Sequence, residues 1–77
     1  MRYYDVYVSV KEDHFNLILE TNEPIETLEL WARTMVNKFY PDFEIVDVDY
    51  TNESFFFFSN NHKLIHIMFQ EREFYRV

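Results

Sequence analysis

The residues of this chain best suited to chemistry are its carboxylates, histidines and serines. Asp47 and Asp49 stand two positions apart in a segment that alternates apolar and polar residues. On a strand their carboxylates would project from one face about 6.5–7 Å apart, a separation compatible with a glycosidase carboxylate pair. A glycosidase also needs a sugar-binding cleft, and a chain of 77 residues offers little depth. We therefore interpret the two aspartates as part of a solvated acidic stripe.

Metal binding is the chemistry to consider at the histidines. His62 and His66 are four positions apart, a spacing that brings two imidazoles together on a helix but separates them by about 13 Å on a strand. Residues Lys63 to Glu71 alternate as a strand does. We therefore expect His14, His62 and His66 to be exposed or hydrogen-bonded side chains, and we predict no metal and no other cofactor.

Nucleophilic catalysis lacks its usual residues. The chain contains no cysteine and no glycine, which excludes a thiol nucleophile, a disulfide, a glycine-rich phosphate loop and the Gly-x-Ser-x-Gly elbow of hydrolases. Ser9, Ser54 and Ser59 fall near strand ends, and no sequence feature supplies any of them with a base. We predict that the protein is not an enzyme and has no catalytic residues.

The net charge restricts the classes of partner. Fourteen acidic and seven basic residues give a net charge of −7. Nucleic-acid binders normally neutralise phosphates with Lys and Arg, and anionic membranes attract the same residues, so the charge disfavours both partners. It favours another protein with a basic surface, or mimicry of a polyanion. The plain alternative is that the acidity only keeps the protein soluble.

No targeting or membrane-spanning segment is visible. Residues 1–5 lack the apolar core of a signal peptide, and no run approaches the roughly 18 apolar residues of a membrane span. We expect a cytoplasmic protein. Residues with AT-rich codons (Phe, Tyr, Asn, Ile and Lys) number 29, whereas Gly, Ala, Arg and Pro together number 7, a bias typical of low-GC bacteria and their phages.

The elements that must position these residues form one compact domain over residues 1–77, because the chain shows no linker and no repeat. Arg2 to Val10 and His14 to Thr21 both alternate apolar and polar residues, which predicts two strands. A tight turn at Lys11 and Glu12, or a four-residue connection through His14, would join them as a hairpin with both apolar sets on one face.

Only one segment predicts a helix. Asn22, Glu23 and Pro24 are typical of a helix start, and Tyr40 before Pro41 ends the helix because a residue that precedes proline disfavours the helical region. Between these limits, apolar residues recur at steps of three and four: Ile25, Leu28, Ala32, Met35 and Phe39.

Three further strands are predicted at Phe43 to Tyr50, at the four phenylalanines 55–58, and at Lys63 to Glu71. Tight turns between them would form a meander and set Asp49 opposite Phe56. The order is therefore ββαβββ. This order is typical of a single α+β domain with one helix packed on one face of a five-stranded antiparallel sheet.

Apolar residues fall on both faces of these strands, although one helix can cover only one face. Val46 and Tyr50 are expected on the core side. The residues predicted to bind a partner are mostly aromatic or acidic members of the reverse face: Tyr3, Tyr7, Ile45, Asp47, Asp49, Phe56, Phe58, His66 and Met68. A contiguous apolar patch usually marks an interface, and Tyr, Phe and Met are frequent in interface cores. Curvature of the sheet, or cover by the C-terminal segment 71–77, are the structural alternatives.

The sequence thus predicts a small acidic protein-binding module, an inhibitor or adaptor that docks through aromatic anchors while acidic residues steer the encounter. A host-directed protein of a phage or mobile element, or a polyanion mimic, fits this description. Two alternatives use the same face. Its rings could stack the bases of single-stranded nucleic acid, which the net charge disfavours, or the face could be buried in a homodimer.

Overall fold

The protein is described here by a computed structural model that covers residues 2–22, 27–51, 53–60 and 63–72. The elements are β1 (Arg2–Val10), β2 (Asp13–Thr21), α1 (Leu28–Phe39), β3 (Asp47–Thr51), β4 (Ser54–Phe58) and β5 (Leu64–Arg72). The strands form one antiparallel sheet in the order β2-β1-β5-β4-β3, and α1 packs against it. The predicted α+β fold is confirmed.

The strands pair in the predicted registers. The β1–β2 hairpin closes through Lys11 and Glu12, and Lys11 takes a φ of 55°, the left-handed conformation that a tight turn needs and that glycine would usually supply. Asp49 lies opposite Phe56, as expected. The alternation of each strand therefore assigns its side chains to the faces that the sequence predicts, and the departures are Ile45 and Val46, just before β3.

The strand order forces the segment between β2 and β3, which contains α1, to cross the sheet. β2 precedes the helix and β3 follows it, yet these two strands form opposite edges. Five strands span about 19 Å between the two edges, and the 12 residues of α1 extend about 18 Å. One short helix is thus just long enough to cover one face.

The core lies between α1 and the sheet. The helix buries Leu28, Ala32, Met35 and Val36, and the strands bury Tyr4, Val6, Val8, Phe55, Phe57, Ile65, Ile67 and Phe69. The rings of Tyr4 and Phe55 both contact Phe69 edge to face, with centroids 6.0 and 5.9 Å away, a favoured aromatic geometry. Burial of these apolar side chains is the main source of stability.

The periphery of the core is less covered than the sequence predicts. Tyr50, expected on the core side, is 63% exposed, because β3 is an edge strand with a neighbour on one side only. Phe39 is 42% exposed but packs edge to face on Phe15, with ring centroids 5.5 Å apart. That contact ties the end of α1 to the outer strand β2.

Some predicted features lie outside the described residues: Glu23 and Pro24 at the helix start, the turn at 61–62, and residues 73–77 of the C-terminal segment. The described helix follows Thr27 and ends at Phe39, one residue before its C-cap, as the sequence predicts. Within the described ranges, no helix is long and apolar enough to cross a membrane.

Truncation of neighbouring phenylalanines tests the two faces of β4. Phe57 is fully buried, whereas Phe56 is half-buried on the other face. Phe57→Ala should lower the free energy of unfolding by about 3–5 kcal/mol, the usual loss for a core aromatic, and Phe56→Ala should lower it less. Urea denaturation measures both losses, and Phe57→Leu supplies a milder variant if the alanine variant does not fold. Equal losses for Phe56→Ala and Phe57→Ala would contradict the assignment of faces.

Because the Tyr4 hydroxyl is buried, we expect the free energy of unfolding to fall at alkaline pH. Its hydroxyl is buried without a hydrogen-bond partner among the described residues. Burial first, and then the Glu71 carboxylate, raise the pKa of Tyr4 above its ordinary value of 10.0. The unfolded chain therefore loses this proton at lower pH than the folded chain, so the stabilisation is present below pH 10 and is lost as the pH rises through the folded pKa.

Tyr4→Phe should therefore flatten the decline in unfolding free energy above pH 10. At neutral pH it should change stability little, because the hydroxyl makes no hydrogen bond of good geometry in the described chain and only the Arg2 side chain acts on it as a nearby donor. Thermal unfolding over a pH series measures both effects, with Tyr50→Phe as the control at an exposed tyrosine. A large loss of stability at neutral pH would show that the Tyr4 hydroxyl has a partner in solution.

Candidate protein-binding face

The sheet face opposite α1, called the open face below, has no helix or strand of the described chain over it. Along residues 54–58 and 64–69, each residue that points toward α1 is buried and each that points to the open face is half-buried or exposed. Ile18 and Leu64, also on this face, are 45% and 41% exposed. The open face is thus partly apolar and accessible.

Five of the predicted partner-binding residues are neighbours at the centre of the open face. Tyr7 pairs with Met68 across β1 and β5, and Phe56 pairs with His66 across β4 and β5. Phe58 lies two residues beyond Phe56 on the same side of β4. All five are half-buried. We call this group the aromatic cluster.

The aromatic cluster contains a stacked pair. The rings of Phe56 and His66 are nearly parallel, at 7°, with centroids 4.5 Å apart. The Nε2 atom of His66 is buried and has no hydrogen-bond partner in the part of the chain that the structure describes. Stacking therefore fixes the orientation of both rings. The buried Nε2 atom of His66 has no hydrogen bond, which lowers stability. No group of three His, Cys, Asp or Glu in the described ranges could hold a metal ion.

Asp47 and Asp49 lie on β3, at the outer edge of the sheet and not within the aromatic cluster. Each carboxylate accepts a hydrogen bond from the next backbone N–H: Val48 N donates to Asp47 Oδ1 and Tyr50 N donates to Asp49 Oδ1, both at 2.9 Å. Exposed edge strands otherwise offer such groups to other chains. These two acids therefore cap the β3 edge, a role that the sequence did not predict.

Ile45, predicted on the open face, instead packs against the core, which corrects the assignment. Asp47 is the residue paired with Phe58, yet Val46 N also donates to the Phe58 carbonyl at 2.9 Å. Two consecutive residues thus oppose one, as in a β-bulge, and the alternation shifts by one position. The shift turns Ile45 toward α1 and leaves Val46, expected in the core, 47% exposed.

Tyr3 lies at the far end of β1, opposite Glu20 and Arg72 and away from the aromatic cluster. Arg72, which sequence reasoning did not place, belongs to the open face, where its Nε lies 3.4 Å from Asp5 Oδ2. The alternation of β5 could have placed Arg72 on the open face. Its ion pair with Asp5 could not be predicted, because that contact depends on the pairing of β1 with β5. Four acids and one base therefore lie on the strands of the open face: Asp5, Glu20, Asp47, Asp49 and Arg72.

A shallow depression of about 620 Å³ lies beside the stacked pair. Its lining consists of Thr51, Glu53, Ser54, Phe56, His66, Met68, Phe69 and Gln70. Aromatic and thioether groups provide an apolar floor, and Glu53 contributes a carboxylate-bearing residue to the lining. Its volume lies within the range of small-ligand pockets, but it opens broadly on the surface of the sheet.

No protein-family model matches the chain, and neither a curated protein nor a solved structure matches it. Function must therefore be argued from the site itself. The structure brings together Tyr7, Phe56, Phe58, His66 and Met68, places Asp47 and Asp49 at the edge, sets Tyr3 apart, and moves Ile45 to the other face.

Removal of the two side-chain acceptors at the β3 edge should speed the hydrogen exchange of the amides that they cap. In the Asp47→Ala/Asp49→Ala variant, the amides of Val48 and Tyr50 should exchange about two- to tenfold faster, as expected for the loss of hydrogen bonds worth about 0.5–1.5 kcal/mol. Substitution of both aspartates by asparagine should retain protection, because the amide oxygen still accepts. Asp42→Ala, at an exposed acid outside the strands, controls for the charge, and equal acceleration in that variant would contradict capping.

Proposed function

We propose that the protein is a small acidic binding module that docks the open face on another protein, as an inhibitor or adaptor. The observation that carries the proposal is the aromatic cluster at the centre of a sheet face over which the described residues place no helix or strand. Interface hot spots are enriched in aromatic residues held in fixed conformations, and the stacked Phe56 and His66 supply such rings. A cytoplasmic location and a role in a phage or mobile element belong to the same proposal.

The chemistry of the face favours a partner with a lysine or arginine beside an apolar patch. The carboxylates of the open face outnumber its one guanidinium, which is already paired with Asp5. The depression beside Phe56 combines a ring face, a thioether and Glu53. A cation inserted there would meet both an aromatic surface and negative charge. The excess of acidic residues over the whole chain would speed the encounter with such a partner.

Base stacking is the weaker candidate for the same face. The guanidinium of Arg72 is held by Asp5, and the chain carries a net charge of −7. A single-strand binder needs cations along the nucleic-acid backbone as well as rings. The open face therefore offers less to a nucleic acid than to a basic protein surface.

Capture from a low-GC bacterial lysate, followed by titration of the purified captured protein, tests the proposal. Phe56→Ala and Phe58→Ala should each weaken binding about 30-fold, the equivalent of a 2 kcal/mol hot spot. Glu53→Gln should weaken binding less and reduce its dependence on salt. Leu30→Ala, at a 65% exposed apolar residue of α1, and Glu12→Gln, at an exposed turn acid, are the matched controls.

Unchanged affinity in the Phe56 and Phe58 variants would overturn the proposal, as would equal losses in the Leu30 control. A fluorescent single-stranded oligonucleotide should be titrated in parallel at physiological salt. Tight binding of that probe, lost on Phe56→Ala, would favour the nucleic-acid alternative and contradict a protein partner.

A further inference from the structure

The two edges of the sheet are protected very differently. β3 has five residues, and aspartates cap two of its outward N–H groups. β2 has nine residues, of which six are exposed. In the described chain, no side chain hydrogen-bonds to the backbone of β2 at positions 13–20. A long uncapped edge is a template for pairing with another strand.

The hairpin register identifies the free backbone groups of β2. A two-residue turn closes on a hydrogen-bonded pair, here Val10 and Asp13. Hydrogen-bonded and non-hydrogen-bonded pairs alternate from there, so the odd-numbered residues of β2 bond to β1. The N–H and C=O groups of the even-numbered residues point outward: His14, Asn16, Ile18 and Glu20.

From this edge we infer that β2 is a homodimer interface, at which two copies of the chain pair their β2 strands antiparallel about a twofold axis at Leu17. This register overlaps all nine residues of β2 from Asp13 to Thr21. It sets His14 of each copy opposite Glu20 of the other, and Phe15 opposite Leu19. The ends can thus form a hydrogen bond between imidazole and carboxylate, and on the α1 side the centre is apolar (Phe15, Leu17 and Leu19), whereas Asn16 lies opposite Ile18 on the other side.

A shift of the axis by one residue loses this complementarity. With the axis at Asn16, His14 would face Ile18 and Asp13 would face Leu19. With the axis at Ile18, Glu20 would face Asn16. Of the three registers, only the one centred on Leu17 sets His14 opposite Glu20 and Phe15 opposite Leu19, so it is the one we assign; Asp13 then lies opposite Thr21.

The dimer is independent of the proposed partner site. A twofold axis perpendicular to the sheet keeps both helices on one side and joins the two open faces into one face of a ten-stranded sheet. The aromatic cluster therefore stays uncovered. Failure of the dimer would leave the proposed function untouched, and failure of partner binding would leave the dimer untouched.

Because the chain has no native cysteine, single cysteines report the register cleanly. Residue 17 would face itself across the axis as a non-hydrogen-bonded pair, with Cα atoms roughly 4.5 Å apart, close enough for a disulfide. Leu17→Cys should therefore form a covalent dimer under mild oxidation. Leu19→Cys, at an equally half-buried leucine on the same side, should not, because its two copies lie roughly 13 Å apart.

Light scattering from micromolar to millimolar protein measures the free dimer. The wild-type mass should rise toward twice 9.6 kDa. Asn16→Pro should abolish this rise, because it removes an outward N–H without breaking the β1–β2 ladder, whereas Asn16→Ala should retain it. His14→Glu or Glu20→Lys alone should weaken association at least tenfold, and the two together should restore it.

Three results would overturn the inference. One is a wild-type chain that stays monomeric over the whole concentration range. Another is cross-linking of Leu19→Cys as fast as that of Leu17→Cys, and the third is a failure of the paired charge substitutions to rescue association. Circular dichroism of each variant confirms that the fold is retained, so loss of the dimer can be separated from unfolding.

Discussion

The constraint on which the structure depends is that the segment between β2 and β3, which contains α1, must join the two opposite edges of the sheet, although Phe39 at the end of α1 still packs on Phe15 of β2. α1 follows β2 and precedes β3, so the chain must cross the full width of the sheet between them. Crossing on one side brings Leu28, Ala32, Met35 and Val36 over the central strands. No second helix in the described chain crosses the other side. The covered face becomes the core and the open face stays accessible.

Because successive strand residues point to opposite faces, the covered face and the open face carry different side chains. In the run of four phenylalanines, Phe55 and Phe57 enter the core, whereas Phe56 and Phe58 stand on the open face. If the face opposite the helix were only in contact with water, its residues would be mostly polar. Here the same strands serve stability on one side and present a partly exposed aromatic surface on the other.

The acidic residues separate into two roles once the sheet is assembled. Asp5 pairs with Arg72 on the open face, whereas Asp47 and Asp49 occupy the backbone donors of the β3 edge. That capping makes β3 a poor template for another strand and leaves β2 as the edge able to pair. The position of an acidic residue in the sheet thus decides whether it pairs with another side chain or occupies the backbone of an edge strand.

Much of the fold could be predicted from the sequence because its determinants are local. Alternation defined the strands, a two-residue turn set the β1–β2 register, and Tyr40 before Pro41 ended the helix. These same local signals assigned Tyr7, Phe56, Phe58, His66 and Met68 to one face. They failed at Ile45, because a bulge depends on how two strands meet and leaves no mark in the alternation of either.

The sequence by itself determined the elements, their registers across tight turns and the face on which most side chains lie. The tertiary structure alone decided that β5 lies between β1 and β4, that Arg72 meets Asp5, and that Asp47 and Asp49 stand at an edge. Pairing between β1 and β5 joins residues more than 50 positions apart. No short turn fixes this contact. It depends on how all five strands arrange beneath the one helix that covers them.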